Sequence, residues 1–387
     1  MRTLALILAA GFSSRMGAFK PLLPLPADGG TCSALELLCR TYAERHVPVM
    51  VVSGFRGDEV DAAALACGAR SVRNPQPERG MFSSVQTGLA ALPDETEAVF
   101  VHPVDVPLVR PLTLQRLLDA ADGTATVLLP TFDGREGHPP LLPRAFAPRL
   151  LAWRGQGGLR AALEDLPRRA VPVADALCLP DMDTQADYAA LQKAAARRDI
   201  LSPDEAEQLL AIEGLPPRGR RHCRAVGAVA AALAGALNAA RADRGEPPVD
   251  EDEARAGGLL HDICKGRPEH EAAAGRLLRH YGLERAARLV ESHRDLSIPD
   301  DAPLTARELI FLADKVVCGA WALPLEQRFQ QKIEQFQGDE AACAAIRGRR
   351  ERAARLAARF AAEARIDAAT LARTVVPSWD ERERPEN

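Results

Sequence analysis

Residues 4–10 read LALILAA, an unbroken apolar run. A strand with one wet face alternates apolar and polar residues, whereas a strand buried on both faces reads as a continuous apolar stretch. The run therefore predicts a strand of a parallel sheet with helices on both faces. It leads into a loop containing Gly11, Ser13, Ser14, Arg15 and Gly17, then Lys20 and a second apolar run to Leu25. Small residues at the end of such a strand let backbone N–H groups approach a phosphate chain. Arg15 and Lys20 can neutralise its charge. The loop lacks both the Gly-Lys-Ser/Thr ending of a P-loop and the GxGxxG of a dinucleotide fold.

Short apolar runs recur at 48–53, 98–102 and 126–129, with helical spacing at 33–45 and 111–120. This is the pattern of a parallel α/β sheet. From about residue 197 the β-branched runs give way to Ala/Leu/Arg/Glu segments of helical period. Ser202-Pro203-Asp204-Glu205 reads as a helix start, with Ser202 at the N-cap and Pro203 at the first helical position. Leu215-Pro216-Pro217 interrupts that helix, and another is expected over about 222–238. We expect an α/β domain over residues 1–192 and an all-α domain over 200–375. The 387-residue length suits two domains, and 47% hydrophobic residues can fill both cores although aromatics are only 4%.

Two acids in the first half stand where a metal-bound triphosphate could meet them. Asp105 follows the apolar run 98–102, and ligands of open α/β sheets bind outside the carboxyl ends of strands. Asp183 precedes a helical segment, and magnesium on a nucleotide takes one or two carboxylates plus phosphate oxygens. Taken alone, Asp183 reads most simply as a helix N-cap.

Residues 8–25 resemble the LAAGxSxRMGxxKxLLPL signature of the nucleotidyltransferases that attach a nucleotide to molybdopterin, and of their relatives that activate sugar phosphates. Further resemblances lie in Asn74-Pro75, in Gly80-Met81-Phe82-Ser83-Ser84 with Gly88-Leu89, in Asp105-Val106-Pro107, in Gly137-His138-Pro139 and in residues 181–188. The likeness implies a Rossmann-like fold and a nucleoside triphosphate substrate, CTP or GTP. It implies a nucleotide site at Ala10, Gly11, Ser13, Ser14, Arg15, Lys20, Asn74, Ser83 and Gly88. Arg15 and Lys20 would be catalytic, and Asp105 and Asp183 would hold Mg2+. Two departures bear on the acceptor: His102-Pro103-Val104 replaces the usual Gly before the first acid, and Gln156 stands where relatives often have an acid.

In the second half His222, His261, Asp262, His270, His293 and Asp314 follow the order H…HD…H…H…D, which takes up four of the chain's 8 histidines. Mixed imidazole and carboxylate ligation suits Fe, Mn, Ni or Zn better than a thiolate site would. Adjacent residues on a helix point about 100° apart. His261 and Asp262 can therefore share a cluster only near a helix end, which Gly266 and Pro268 predict. The set, with HDICK, EHEAAAGRLL and FLADK, resembles the HD-domain phosphohydrolases with two metals. The likeness implies that His222, His261, Asp262 and Asp314 hold one metal, that His270 and His293 hold the second with Asp262 bridging, and that Lys265 faces the scissile phosphate. A metal pair suits phosphoester hydrolysis.

A net charge of −4 gives no sign of a nucleic-acid footprint, and the Arg-rich 347–359 segment, interleaved with Glu and Ala, reads as a solvated helix face. The 8 cysteines form no C-x-x-C pair, which predicts reduced, largely buried thiols. No signal peptide and no membrane-length apolar stretch are read, so a cytoplasmic location is expected. The expected function is CTP- or GTP-dependent transfer to molybdopterin plus phosphoester hydrolysis, with possible contact with a molybdoenzyme or its chaperone. The alternative takes a sugar-phosphate, polyol-phosphate or phosphonate acceptor and makes the helical half a regulatory nucleotide-binding module.

Overall fold

The structure is a computed structural model that describes residues 1–27, 29–291, 296, 299 and 302–378. It forms two compact units, Met1–Arg198 and Asp199–Asn387. The first contains β1 (Thr3–Leu8), the hairpin β2 (Pro24–Ala27) and β3 (Gly30–Ser33), α1 (Ala34–Ala43), β4 (Val49–Ser53), α2 (Gly57–Ala66), β5 (Arg70–Arg73) and α3 (Met81–Ala90). It continues with β6 (Ala98–Pro103), α4 (Pro111–Ala120), β7 (Val127–Phe132), β8 (Arg135–Glu136), β9 (Leu141–Pro143), α5 (Ala147–Ala152), α6 (Gly158–Leu163), β10 (Arg168–Pro172) and α7 (Gln185–Ala195). The main sheet runs β10-β7-β9-β6-β1-β4-β5.

Every residue of β1 is buried, as its apolar run requires. β1 lies between β4 and β6 and is parallel to both. The sheet is mixed rather than purely parallel, because β9 runs antiparallel to β6 and β7. Pairing of Leu8 with Pro103 brings the loops that follow β1 and β6 out of the same sheet edge, side by side. The strand order reverses there, the position at which open α/β sheets bind ligands. Helix α3 packs closely on β1 through Gly88, where a Cβ would come within 2.3 Å of the Leu6 side chain. Below the sheet edge, buried Asp175 accepts hydrogen bonds from the Arg110 backbone, the Arg110 guanidinium and Thr113.

The second unit consists of α8 (Pro203–Ile212), α9 (Pro217–Ala242), α10 (Glu251–Leu260), α11 (His270–His280), α12 (Glu284–Val290) and α13 (Ala306–Val316), then a small β11 (Val317–Cys318) and β12 (Trp321–Ala322) hairpin, then α14 (Leu325–Gln335), α15 (Glu340–Ala364) and α16 (Ala368–Val375). Ser202 caps α8 in a capping box with Glu205, and Pro203 fills the first turn. Helix α9 is longer than the 222–238 segment expected, because Pro217 is tolerated in a first turn where no N–H partner is needed. By length and composition α9 could cross a membrane, which corrects the expectation that no stretch is long enough. More than half of its apolar window is buried in the unit, around Val226, Val229, Ala230, Leu233 and Leu237. Helices α9 and α10 approach closely at Gly227 and Gly258, where a Cβ on Gly258 would lie 2.7 Å from the Gly227 Cα.

Candidate active sites

Both acids of the first site alternate with core residues. Val104 and Val106 flank Asp105 and are buried, and Met182 is buried between Asp181 and Asp183. At Asp105 this happens in a turn closed by the Val106 N–H donating to the Pro103 carbonyl, which buries both valines. Lys20 joins both acids: its Nζ is 2.6 Å from Asp183 Oδ1 and 3.2 Å from Asp105 Oδ2. Arg15 Nη1 lies 2.7 Å from the other Asp183 oxygen. Burial alone would lower the Lys20 amine, but its hydrogen bond to Asp183 and the charge of Asp105 raise it above the usual value. The hydrogen bond from Lys20 holds the Asp183 carboxyl below its usual range. Burial, with Asp183 and Asp105 nearby, pushes Asp181 up.

The loop after β1 is folded on itself. The Met16 N–H donates to the Ser13 carbonyl, and the Lys20 N–H donates to Ser13 Oγ at 3.2 Å. Ser13 sits at φ 54°, whereas Gly11 and Ser14 are exposed. The Asp183 segment is tied to this loop through Gln185 Nε2, which donates to the Met16 carbonyl at 2.9 Å. The Asp105 loop is fixed from beneath by His102, which is fully buried. A carbonyl can only accept, so His102 Nε2–H donates to Val106 at 2.9 Å and Nδ1 accepts the Tyr42 hydroxyl at 2.8 Å. Burial pushes the His102 imidazole down to about 3, so it is neutral.

Beside these acids lies a cavity of about 1250 Å³ lined by Ser83, His138 and Trp153. Arg79, Arg135, Arg154, Arg160 and Arg168 also line it, giving it a strongly positive wall. The charges of Asp105 and Asp181 reach His138, although burial outweighs them and lowers its imidazole. Gly137 is required at the rim, since a Cβ there would meet the Cys178 Sγ at 2.5 Å.

In the second unit, α10 ends at Leu260, so His261 and Asp262 stand at the turn after it. His222 enters from α9 and Asp314 from α13. His222 Nδ1 is 3.0 Å from the Gly319 carbonyl and His261 Nδ1 is 2.7 Å from the Gly258 carbonyl. Each Nδ1 therefore carries the proton, which leaves each Nε2 lone pair for another partner. Those Nε2 atoms face carboxylates: His222 is 3.7 Å from Asp262 Oδ2 and 3.4 Å from Asp314 Oδ1. His261 is 3.5 Å and 3.7 Å from the same two oxygens. Lone pairs converge on lone pairs, an arrangement that a cation stabilises, so the donor set fits a metal. His222, His261 and Asp262 alone place ligand atoms within 4.8 Å of one another.

The second oxygen of Asp262 points elsewhere, 3.4 Å from His270 Nε2. Glu271 joins there, 3.5 Å from the same His270 nitrogen. Lys265 Nζ is 2.8 Å from Asp262 Oδ2 while most of its side chain stays open. Burial would raise the Asp314 carboxyl, but Lys315 and Arg328 hold it well below the usual range.

Residues 5–171 match the family described as MobA-like NTP transferase domain, and residues 219–317 match the HD domain. The chain carries a MobA-like NTP transferase domain followed by an HD domain. The transferase half is 27% identical to the molybdenum cofactor cytidylyltransferase of Escherichia coli over 188 residues, covering 47% of this chain and 92% of that protein. It is 29% identical to the probable molybdenum cofactor guanylyltransferase of Mycobacterium avium, covering 51% of this chain and 98% of that one. A solved nucleotidyl transferase from Methanothermobacter thermautotroptrophicus matches 51% of this chain and 98% of its own at 24% identity and a TM-score of 0.45. The protein is an enzyme of the MobA-like nucleotidyltransferase type, a class that uses Mg2+ generally, and HD domains bind divalent metals.

The transferase fold brings Arg15, Lys20, Asp105 and Asp183 together. Gly88 lies against Leu6 of β1, where its lack of a Cβ permits close helix–strand packing. The Ala10 side chain is likewise spent on Gly54. Asn74 is buried, and its Nδ2 donates to Ser83 and Ser84 while its Oδ1 accepts from the Gln76 N–H. Ser83 lines the cavity, and Asn74 is joined to it through its hydrogen bond to Ser83. Asp183 is not the helix cap: Thr184 caps α7 in a box with Asp187, which frees the Asp183 carboxylate for Lys20 and Arg15. In the HD domain His222, His261, Asp262, His270 and Asp314 converge, and His293 lies outside the described residues. Sequence reasoning missed the cavity arginines, Glu271 and Arg328, because scattered single cations and acids carry no local pattern.

Proposed function

We propose that the transferase domain moves the nucleotidyl group of CTP, in preference to GTP, onto a phosphorylated acceptor, molybdopterin, and releases pyrophosphate. An acceptor phosphate oxygen forms a bond to the α-phosphorus as the α–β bridging bond breaks. Asp105 and Asp183 would hold Mg2+, which offsets charge on the triphosphate. Lys20 and Arg15 turn from these carboxylates to the phosphates, and positioning plus charge neutralisation carry the rate. The observation that carries this reading is the single Lys20 amine shared by Asp105 and Asp183 beside the β1 loop. The arginine-lined cavity favours an anionic acceptor. Similarity to the E. coli molybdenum cofactor cytidylyltransferase and the probable M. avium molybdenum cofactor guanylyltransferase supports molybdopterin over a sugar phosphate, polyol phosphate or phosphonate.

For the HD domain we propose hydrolysis of a phosphoester with two transition metals, drawn from Fe, Mn, Ni and Zn. His222, His261, Asp262 and Asp314 would hold one, and His270 and His293 the other, with Asp262 shared. When bound, the pair supplies Lewis acidity at the phosphoryl group. The two oxygens of Asp262, aimed at different histidines, support a shared ligand. Lys265 extends from Asp262 to solvent and would meet the scissile phosphate. A cytoplasmic setting, with product handed to a molybdoenzyme or its chaperone, completes the proposal. A nucleotide panel with pyrophosphate detection, run with and without molybdopterin, tests it: molybdopterin-independent release would point to another acceptor, and Asp105→Ala should abolish release. Loss of phosphatase activity in Asp262→Ala would support an enzyme, whereas altered transferase control alone would support a regulatory module.

A further inference from the structure

The arginine-lined cavity of the transferase domain has one wall whose attachment the transfer reading does not use. Residues 153–158 follow α5, and all six line the cavity. The last carbonyls of a helix lack intrahelical partners. At the end of α5 two side chains serve them. Gln86 Nε2 lies 3.1 Å from each of the Leu150, Leu151 and Trp153 carbonyl oxygens. Carbonyls only accept, so the amide nitrogen of Gln86, not its oxygen, faces them. Arg154 Nη1 donates to two of the same three, Leu151 at 2.6 Å and Trp153 at 2.9 Å. The two donors differ in kind. Gln86 is neutral and half-buried, and it ties this turn to α3. It stands one helical turn after Phe82, whose ring meets Trp153 edge-on with centroids 4.9 Å apart. Phe82 thus holds the Trp153 ring while Gln86 holds its backbone. Arg154 is charged and exposed, and it reaches back only along its own segment.

We infer that Arg154 is a specificity-determining residue that leaves these carbonyls for an anionic group of the acceptor, and that Gln86 is the positioning residue that lets it leave. The inference rests on the transferase reading of the cavity and gives roles to two residues which that reading leaves without one. A guanidinium gains more from an anion than from a neutral carbonyl, because the pair is charge-assisted and can be bidentate. Its departure would strip the Leu151 and Trp153 carbonyls of a donor if Arg154 stood there alone. Gln86 removes that cost, since its amide stays on both oxygens when the guanidinium turns. The wall therefore keeps its shape whether the cavity is empty or filled.

Pyrophosphate release by the full chain, titrated with molybdopterin at saturating CTP and with CTP at saturating molybdopterin, separates the KM values of the two substrates. Arg154→Gln should raise the molybdopterin KM about tenfold and leave the CTP KM within about twofold. Gln86→Met keeps the volume but not the donor, so Arg154 is then held to the wall; the molybdopterin KM should rise about threefold. An unchanged molybdopterin KM in either variant, or a CTP KM that rises in step with it, would overturn the inference. Hydrogen exchange read on residues 151–158 tests Gln86 without any acceptor. Exchange should stay within about twofold of the parent in Arg154→Gln and rise about tenfold when Gln86→Met is added. An equal rise in Arg154→Gln alone, or no rise in the double variant, would show that Gln86 does not hold the wall and would also overturn the inference. If the parent releases no pyrophosphate with molybdopterin, the acceptor reading fails, and calorimetric titration with inorganic phosphate decides on Arg154. In the full chain carrying Lys20→Ala, which removes competition from the β1 loop, Arg154→Gln should weaken phosphate binding about tenfold; unchanged binding would overturn its role.

Discussion

In the transferase domain the paired carboxylates lean on a lysine and on an arginine whose side chain is 79% exposed. In the HD domain Asp262 and Asp314 are buried and meet two histidines whose tautomers are set by backbone carbonyls. On the proposed reading, the first arrangement is a set of cations that hold the acids until a nucleotide with its own magnesium displaces them. The second is a set of lone pairs aimed at one point before any ligand arrives. On the proposed reading, the difference would separate a metal that comes and goes with a nucleotide from one that stays with the protein. Lys265, Lys315 and Arg328 already pair with these carboxylates, so what a metal would add is a partner for the two imidazole Nε2 lone pairs.

The comparison breaks most readily at the HD ligands. Asp262→Ala should remove nearly all transition metal from purified protein, measured by elemental analysis, while pyrophosphate release by the transferase continues. Retained metal would refute the resident-site half of the contrast. Next in size is Lys20→Ala, which should slow pyrophosphate release by about 100-fold or more and leave the metal content unchanged. Comparable loss of bound transition metal in that variant would erase the distinction between the sites. Prolonged dialysis against a chelator should lower the unfolding temperature of the HD domain but not that of the transferase domain, since only a bound resident metal contributes folding free energy.

Acid should act on the transferase domain through His102. Its folded-state value of about 3 lies below the ordinary 6.5. The unfolded chain therefore binds a proton that the folded chain refuses once the pH drops below 6.5. The stability from the neutral ring is present above that value and lost as pH falls towards 3, by about tenfold in the unfolding equilibrium per unit. Denaturant unfolding at pH 7 and pH 5 should show this extra loss in the parent and not in His102→Gln. The smallest effect is expected from Gly88→Ala, which forces a methyl against Leu6. It should destabilise by about 1–3 kcal/mol with little change in KM for nucleotide, whereas a direct nucleotide contact would raise KM.

Local signals in the sequence account for much of the fold. The apolar period marked β1 and β6 as buried strands, and Ser202-Pro203 marked the start of α8, because these depend on neighbours along the chain. The inverted strand β9 was not legible, since strand direction depends on pairing rather than on period. The composite nature of the sites was partly legible: residue types and order brought Asp105, Asp183 and the histidine set into view. Gly88 and Asn74 illustrate the limit, because a residue in a motif can serve packing or an internal hydrogen-bond network as readily as a ligand.

By itself the sequence determined a phosphate-binding type of loop after a buried strand, an ordered set of histidines and acids, and a change from α/β to helical character between them. These are properties of residue type and local period. Only the tertiary structure decided that one lysine bridges Asp105 and Asp183, that Thr184 rather than Asp183 caps its helix, and that Arg328 shares an oxygen with the histidine pair. Such contacts join residues far apart in the chain. Strand register and helix crossing set them, and no local pattern encodes either.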